Sequence, residues 1–317
     1  MTKPTAERFH IELLNPDYGC AVRVTETLTR FRTEYQDLEV VDTPMFGRML
    51  LLDKVMMTTE RDEFFYHESL VHVGALAHPG PTSALVIGGG DGGSSEELLK
   101  YPTMQRVVMA ELDRGVVEAS KQYLEKIHRG AFDDPRLSVM IGDGKAFVER
   151  TDERFDLVAL DLTDPLGPSV QLYTREFYES CKRVLNPGGV LTLHVESPIT
   201  RPRAYQRIVA TLKAVFPLVR PYLVYVPIYC AWWGMATASS TVDPLALSEA
   251  EVEKRIAERK LQDLQYMNGA VYRAGLALPN FVRRLLAEPV PLITTQSLLV
   301  DEVGDPTFKY DLVPQVT

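Results

Sequence analysis

Cysteine is scarce in this chain: Cys20, Cys181 and Cys230 are the three among 317 residues. Three cannot all pair, and none stands in a C-x-x-C arrangement of the kind that grips zinc or works in thiol redox, so no metal site is expected. Cysteines used this sparingly fit a reducing cytoplasm. Long hydrophobic runs are missing as well. The most apolar region, 214–238, is broken by Pro217, Arg220, Pro221 and Pro227, which suits buried strands and argues against a membrane-spanning helix. The first residues, Met1 to Arg8, lack the apolar core of a signal peptide. Positive charge is in deficit: a net charge of −9 and a pI near 5.3 argue against a nucleic-acid partner and are compatible with a cationic substrate. Internal repeats and low-complexity segments are absent too.

What is present is an ordinary 45% hydrophobic content over a length that accommodates one large α/β domain and a smaller one. Up to about Glu60, β-type residues alternate with turn signals, as in Val22 to Thr27, Asp37 to Asp42 and Phe46 to Asp53, which predicts a small β domain over 1–60. From Asp62 the pattern turns helical, with Phe65, Ser69, Leu70, Val73, Leu76 and Ala77 on an apolar face that ends at His78-Pro79-Gly80-Pro81. Strands are then expected at Ala84 to Gly88, Val107 to Glu111, Leu137 to Ile141, Phe155 to Asp161 and Val190 to Val195, with helices between them. Such alternation predicts a parallel, doubly wound sheet. Asn186-Pro187-Gly188-Gly189 reads as a turn ahead of the strand at Val190, and Tyr222 to Ile228 with Trp232 to Ala238 reads as an antiparallel extension. The large domain is assigned 61–289, and 290–317 is left as an irregular tail.

The chemistry concentrates in Ala84-Leu85-Val86-Ile87-Gly88-Gly89-Gly90-Asp91-Gly92-Gly93, an apolar strand running into a glycine loop with one aspartate. Glycines bring backbone N–H groups close to a ligand, although G-x-G-x-x-G alone is a weak signal. Three more acids fall where successive strands end, and ligands of open α/β sheets bind beyond those ends. Glu111, about 20 residues past the loop, has the spacing of a ribose ligand. Asp143, in Gly142-Asp143-Gly144, fits an adenine contact or an N-cap. Asp91 would repel a pyrophosphate and attract a cationic tail, so a nucleoside with a sulfonium and an amine fits better than a dinucleotide; an Asp-Gly turn is the structural alternative. Asp161-Leu162-Thr163-Asp164-Pro165-Leu166-Gly167-Pro168 places two carboxylates in a proline-stiffened loop, suited to holding an ammonium and taking a proton from it, or to capping the next helix.

In order along the chain, these motifs resemble the polyamine aminopropyltransferases, in particular spermidine synthases of the bacterial type. The likeness runs from about Tyr18 to Pro289. It includes Tyr35-Gln36-Asp37-Leu38, Thr59-Glu60-Arg61-Asp62-Glu63-Phe64-Phe65-Tyr66-His67-Glu68, Val226-Pro227-Ile228-Tyr229, Tyr266-Met267-Asn268 and Ala277-Leu278-Pro279. The resemblance implies a Rossmann-like fold of the S-adenosylmethionine-dependent transferase type, preceded by the small antiparallel domain, and a homodimer or homotetramer. It implies no prosthetic group: decarboxylated S-adenosylmethionine is a co-substrate that gives its aminopropyl group to an amine, usually putrescine. By the same resemblance Gln36, Glu111, Asp143, Gly144 and Pro168 contact the nucleoside, and Asp91 holds the donor's amine. Asp161 is the general base, while Asp164, Tyr66, His67 and Tyr229 line the amine channel. Three positions depart from the family: Met57 and His194 stand where it commonly has glutamine, and Lys54 replaces a glycine. They are either packing substitutions or determinants of acceptor choice among putrescine, cadaverine, agmatine and spermidine. A methyltransferase and a non-catalytic polyamine- or nucleoside-binding protein are the rival readings.

Overall fold

Short alternating segments make two antiparallel sheets at the start of the chain. The computed structural model describes residues 8–15, 17–165 and 167–299, with the side chain of Pro168 also outside the described set. The expected tail beyond Leu299 and the segment before Arg8 therefore lie outside the described residues. Strands β1 (Arg8–Asn15) and β2 (Tyr18–Val24) pair as a hairpin, and β3 (Glu26–Arg32), β4 (Asp37–Thr43), β5 (Gly47–Leu52) and β6 (Val55–Thr59) form a four-stranded sheet in sequence order. The β-type run Val22 to Thr27 spans two strands and breaks at Thr25, whose N–H donates to Asp42 O at 2.9 Å. Between β5 and β6 the register Leu52↔Val55 leaves a two-residue turn, and both Asp53 (φ 49°) and Lys54 (φ 70°) are left-handed, as a tight hairpin requires.

Helix α1 (Glu63–Ala77) follows. One apolar face was expected, but nearly the whole circumference is buried, including Glu63, His67, Glu68 and His72, whereas Phe65 is only partly covered. The polar side is buried because it faces partners of its own. His72 Nε2 lies 2.9 Å from Glu97, and Glu68 accepts backbone N–H groups of Gln265, Tyr266 and Met267 at 2.5, 3.0 and 2.7 Å.

The rest alternates as predicted: β7 (Ser83–Gly88), α2 (Gly93–Leu99), β8 (Arg106–Glu111), α3 (Arg114–Tyr123), α4 (Glu125–His128), β9 (Leu137–Ile141), α5 (Gly144–Arg150), β10 (Phe155–Asp161), α6 (Arg175–Arg183), β11 (Leu185–His194), α7 (Pro202–Val215), β12 (Leu218–Val226) and β13 (Ala231–Ser239). The seven strands lie in the order β12-β13-β11-β10-β7-β8-β9. From β11 to β9 all neighbours are parallel, and β13 runs antiparallel to both β11 and β12, so the sheet is mixed. The order in which successive strands are added reverses between the parallel neighbours β7 and β10, where Asp161 pairs with Gly88. That junction is the switch point at which open α/β sheets bind ligands.

One turn is displaced from its expected place. Asn186-Pro187-Gly188-Gly189 lies inside β11: Leu185 pairs with Phe155 and Val190 with Leu157, and the extra residues bulge out at Gly188, φ 81°. Alternation along the central strands splits the core into two faces, with Ala84 and Val86 in one cluster and Leu85 and Ile87 in the other. Helices α8 (Glu249–Glu258), α9 (Gly269–Gly275) and α10 (Asn280–Ala287) complete the described chain. The segment 290–299 is irregular yet docked: Ile293 is fully buried, its N–H donating to Thr211 Oγ1 at 2.9 Å. Cys20 and Cys230, 210 positions apart, are joined by a disulfide, a pairing no spacing announces, while Cys181 is a buried free thiol. Among the described residues no helix is long and apolar enough to cross a membrane.

Candidate active site

The glycine loop is shaped by its neighbour strand. A Cβ on Gly88 would stand 2.1 Å from Asp161 O, and one on Gly89 would stand 2.9 Å from Asp161 Oδ2. Both residues have positive φ, and Gly89 N–H donates to Asp161 O at 2.9 Å. Only glycine lets the loop cross the end of β10 this closely. Asp91 then turns back, Oδ1 accepting Gly93 N–H at 2.9 Å, and Gly93 opens α2 directly against the His67 ring.

His67 gathers three carboxylates. Its Nδ1 lies 2.8 Å from Glu63, one helical turn earlier, and its Nε2 lies 3.4 Å from Asp91 and 4.0 Å from Asp161. Burial alone would lower the His67 pKa, but the charges of Asp91 and Glu63 hold it well above the ordinary value, so the ring is an imidazolium. Sequence motifs put His67 on the amine channel. In the structure its ring sits among these carboxylates, with Glu63 one turn back on the same helix.

The same charges treat the two aspartates differently. Burial raises the Asp91 carboxyl, yet contact with His67 outweighs it and leaves the pKa lowered. Asp161 is pushed up to about 6, first by burial and then by the charge of Asp91, with His67, Ser94 and Tyr66 pulling the other way. Its Oδ2 is buried and has no hydrogen-bond partner among the described residues. One carboxylate of the pair is thus kept ionised and the other is poised near neutrality with an open lone pair.

On the other side of the loop, Glu111 ends β8 beneath Gly90, whose Cβ would come within 3.0 Å of Glu111 Oε2. Burial lifts the Glu111 carboxyl to about 7, and its Oε1 accepts Asp113 N–H at 2.8 Å. Gln36 Nε2 donates to Asp113 Oδ2 at 2.8 Å, tying the β3–β4 turn to the end of β8. Asp143 Oδ1 caps α5 through Lys145 N–H at 2.8 Å and Ala146 N–H at 3.3 Å, the structural role weighed for it, and Gly144 packs on Ile87.

A cavity of about 50 Å³ opens just past the end of β10, lined by Leu162 to Asp164, Tyr66 and Tyr229 and also by His194, Glu12 and Arg201. Tyr229 OH donates to Met57 O at 2.6 Å, which sets β6 against the β12–β13 turn. Burial holds the Tyr66 and Tyr229 hydroxyls protonated, well above their ordinary range, with the nearby acids adding to the effect. His194, a residue with two possible charge states by sequence, is neutral here: burial lowers its pKa to about 4. Tyr173 OH donates to Thr163 O at 3.0 Å and lies 2.6 Å from His194 Nε2, so that network assigns the ring proton to Nε2.

Glu12 and Arg201 were not singled out from sequence. A signal existed for Glu12, since β1 inverts the usual pattern: Phe9, Ile11 and Leu13 face outward at 49, 66 and 60% exposure while Glu12 turns in. Its Oε2 accepts Met56 N–H at 2.6 Å, and burial raises its carboxyl to about 7. Nothing local marks Arg201.

A glycine loop over a sheet switch point, acids at the strand tips and an acid-lined cavity just past β10 are the features of a Rossmann-like transferase. The chain belongs to the spermine/spermidine synthase family, whose spermine/spermidine synthase domain matches residues 63–247 and whose spermidine synthase tetramerisation domain matches residues 9–60. It is 50% identical to the polyamine aminopropyltransferase of Nitrosomonas europaea over 95% of this chain and 93% of that one. With the Moorella thermoacetica polyamine aminopropyltransferase it shares 41% identity over 88% and 96% of the two chains. Among solved structures, a spermidine synthase in complex with the transition-state analogue AdoDATO superposes with a TM-score of 0.84 at 32% identity, covering 90% of this chain and 96% of that one. The spermidine synthase of Thermotoga maritima gives 0.81 at 31% identity, covering 90% and 95%. The chain is accordingly an aminopropyltransferase.

Proposed function

We propose that this chain transfers the 3-aminopropyl group of decarboxylated S-adenosylmethionine to putrescine, giving spermidine and 5′-methylthioadenosine. The observation that carries the reading is Asp161: its buried Oδ2 lies 4.0 Å from His67 Nε2, has no hydrogen-bond partner among the described residues, and ends the strand whose next residues, Leu162 to Asp164, line the cavity. An amine arrives as an ammonium and is a nucleophile only once a proton has left it. Asp161 takes that proton, the nitrogen lone pair attacks the methylene next to the sulfonium, and the C–S bond electrons return to sulfur. The departing thioether is neutral and needs no acid.

In this reading Glu111, Gln36, Asp143, Gly144 and Pro168 form the nucleoside side, Gln36 acting through Asp113. Asp91 receives the donor's ammonium and repels the extra carboxylate of intact S-adenosylmethionine. Tyr66, Tyr229 and Asp164 hold the acceptor in line, and His67 keeps Asp91 ionised. A methyltransferase needs neither an anion at the donor's tail nor a base of this kind. The outward apolar row of β1 suits burial against further copies of the chain, as a homodimer or homotetramer.

The test is methylthioadenosine release by the purified protein with decarboxylated S-adenosylmethionine and, separately, putrescine, cadaverine, agmatine and spermidine, with intact S-adenosylmethionine as the control donor. Fastest turnover with putrescine is expected. Preference for another amine would replace putrescine in the reading, and silence with every pair would leave a binding protein.

A further inference from the structure

The imidazole that faces Asp91 and Asp161 is itself held from behind. Glu63 gives one oxygen to each of two partners: Oε2 lies 2.8 Å from His67 Nδ1, and Oε1 accepts from Arg129 Nη2 at 2.9 Å. With both oxygens engaged and the side chain 1% exposed, the carboxylate is fixed in place. An acceptor fixed at Nδ1 aims the opposite nitrogen, Nε2, at Asp91 and Asp161. The start of α2 closes over the ring, since a Cβ on Gly93 would stand 2.3 Å from His67 Cε1.

Arg129 reaches further. Its Nη1 donates to Glu96 Oε2 at 3.2 Å, so one guanidinium ties the first residue of α1 to α2, the helix that leaves the Asp91 loop. Those two elements bring His67 and Asp91 together. Arg129 follows α4 in the left-handed region, φ 43°, its N–H donating to Glu125 O at 2.8 Å, and Gly130 after it is left-handed too. Backbone held in so sparsely populated a state gives the side chain a fixed origin. Beyond Glu96 the charges go on alternating: Lys100 Nζ lies 3.2 Å from Glu96 and 2.8 Å from Glu97, which meets His72.

We propose that Glu63 and Arg129 are positioning residues for the transfer reaction: acting through His67, they hold a cation beside Asp91 and Asp161 and so keep Asp161 able to take the amine's proton. The proposal rests on the aminopropyl-transfer reading above. The charged and titratable groups around the ring are Asp62, Glu63 and Tyr66 from α1 and its start, Asp91 from the glycine loop and Asp161 from β10, with His128 facing Asp91 and Arg129 behind Glu63. Without the charge of Glu63, His67 holds its second proton less firmly. Once the ring is neutral, Asp91 and Asp161 repel each other uncompensated, and Asp161 keeps its own proton to higher pH. Loss of Arg129 acts in the same direction: whether Glu63 then takes up a proton or stays ionised, the field at Asp161 becomes more negative.

The experiment compares wild type, Glu63→Gln, Arg129→Gln and Arg129→Lys. The first readout is kcat/KM for methylthioadenosine release with decarboxylated S-adenosylmethionine and putrescine, taken across pH as a variant-to-wild-type ratio in which the amine's own ionisation cancels. Glu63→Gln and Arg129→Gln should move the acid limb up by about 0.5–1 unit, so that the ratio falls about 3- to 10-fold further below pH 6 than above pH 8. Arg129→Lys keeps the charge and should restore most of that shift. Should Glu63→Gln not fold, Arg129→Gln carries the same comparison at a side chain 35% exposed. The second readout is the nitrogen NMR titration of the His67 ring in protein without substrates, assigned by its absence from His67→Gln. The ring should lose its second proton about one unit lower in Glu63→Gln than in wild type. A ratio independent of pH in both neutral variants, or a His67 titration that Glu63→Gln leaves unchanged, would overturn the proposal. Should no donor–amine pair turn over, the transfer reading fails, and the His67 titration still decides whether Glu63 sets the charge of the ring.

Discussion

Asp161→Asn preserves the shape of the β10 terminus and removes its capacity to accept a proton. Positioned proton acceptors contribute about 10²- to 10⁴-fold, so the variant should lose roughly 3–5 kcal/mol of transition-state stabilisation. The pH dependence gives a sharper criterion. With its pKa raised to about 6 by burial and by Asp91, Asp161 is ionised and competent above pH 6 and protonated below it. Wild-type kcat/KM should therefore fall about tenfold per unit as pH drops below 6. Ionisation of the amine itself acts equally on both proteins, so the wild-type to variant ratio isolates the base: flat above pH 6, declining below. Methylthioadenosine release measures the rates, and calorimetry should show nucleoside binding preserved, because neutralising Asp161 relieves its repulsion with Asp91. A variant retaining more than about a tenth of activity, or a ratio independent of pH, would refute the assignment of the base.

Asp91→Asn should erode the preference for decarboxylated over intact S-adenosylmethionine by about tenfold or more, measured as a ratio of kcat/KM values; an unchanged ratio sinks the donor-selection argument. Lys54→Gly should raise stability to chemical denaturation by about 1 kcal/mol, because Lys54 holds φ 70° in the turn between β5 and β6, and no gain would mean the turn relaxes without cost. Glu68→Ala removes the acceptor of the Gln265, Tyr266 and Met267 N–H groups, of which that of Met267 is buried, with an expected loss of about 1–3 kcal/mol in the same assay.

Much of this protein is determined locally. The strand–helix alternation from Ser83 onward, the glycine loop and the acid at each strand end follow from hydrophobic period and from the backbone freedom of glycine, properties of neighbouring residues that a sequence displays directly. The extents of β9 and β10 are those expected, and the antiparallel pair at the sheet edge falls where the apolar runs put it. Tertiary structure alone decided what depends on residues far apart in the chain. The all-round burial of α1 comes from partners such as Glu97 and the Gln265–Met267 backbone, so its polar residues could not announce themselves as interior. The ionisation of His67 and Asp161 is set by carboxylates arriving from separate loops, and the neutrality of His194 by burial. Glu12, in the first hairpin, and Arg201, ahead of α7, come together only because the fold closes both around one cavity. Their charges act through space across a shared pocket, and linear order carries no trace of which charges will face each other there.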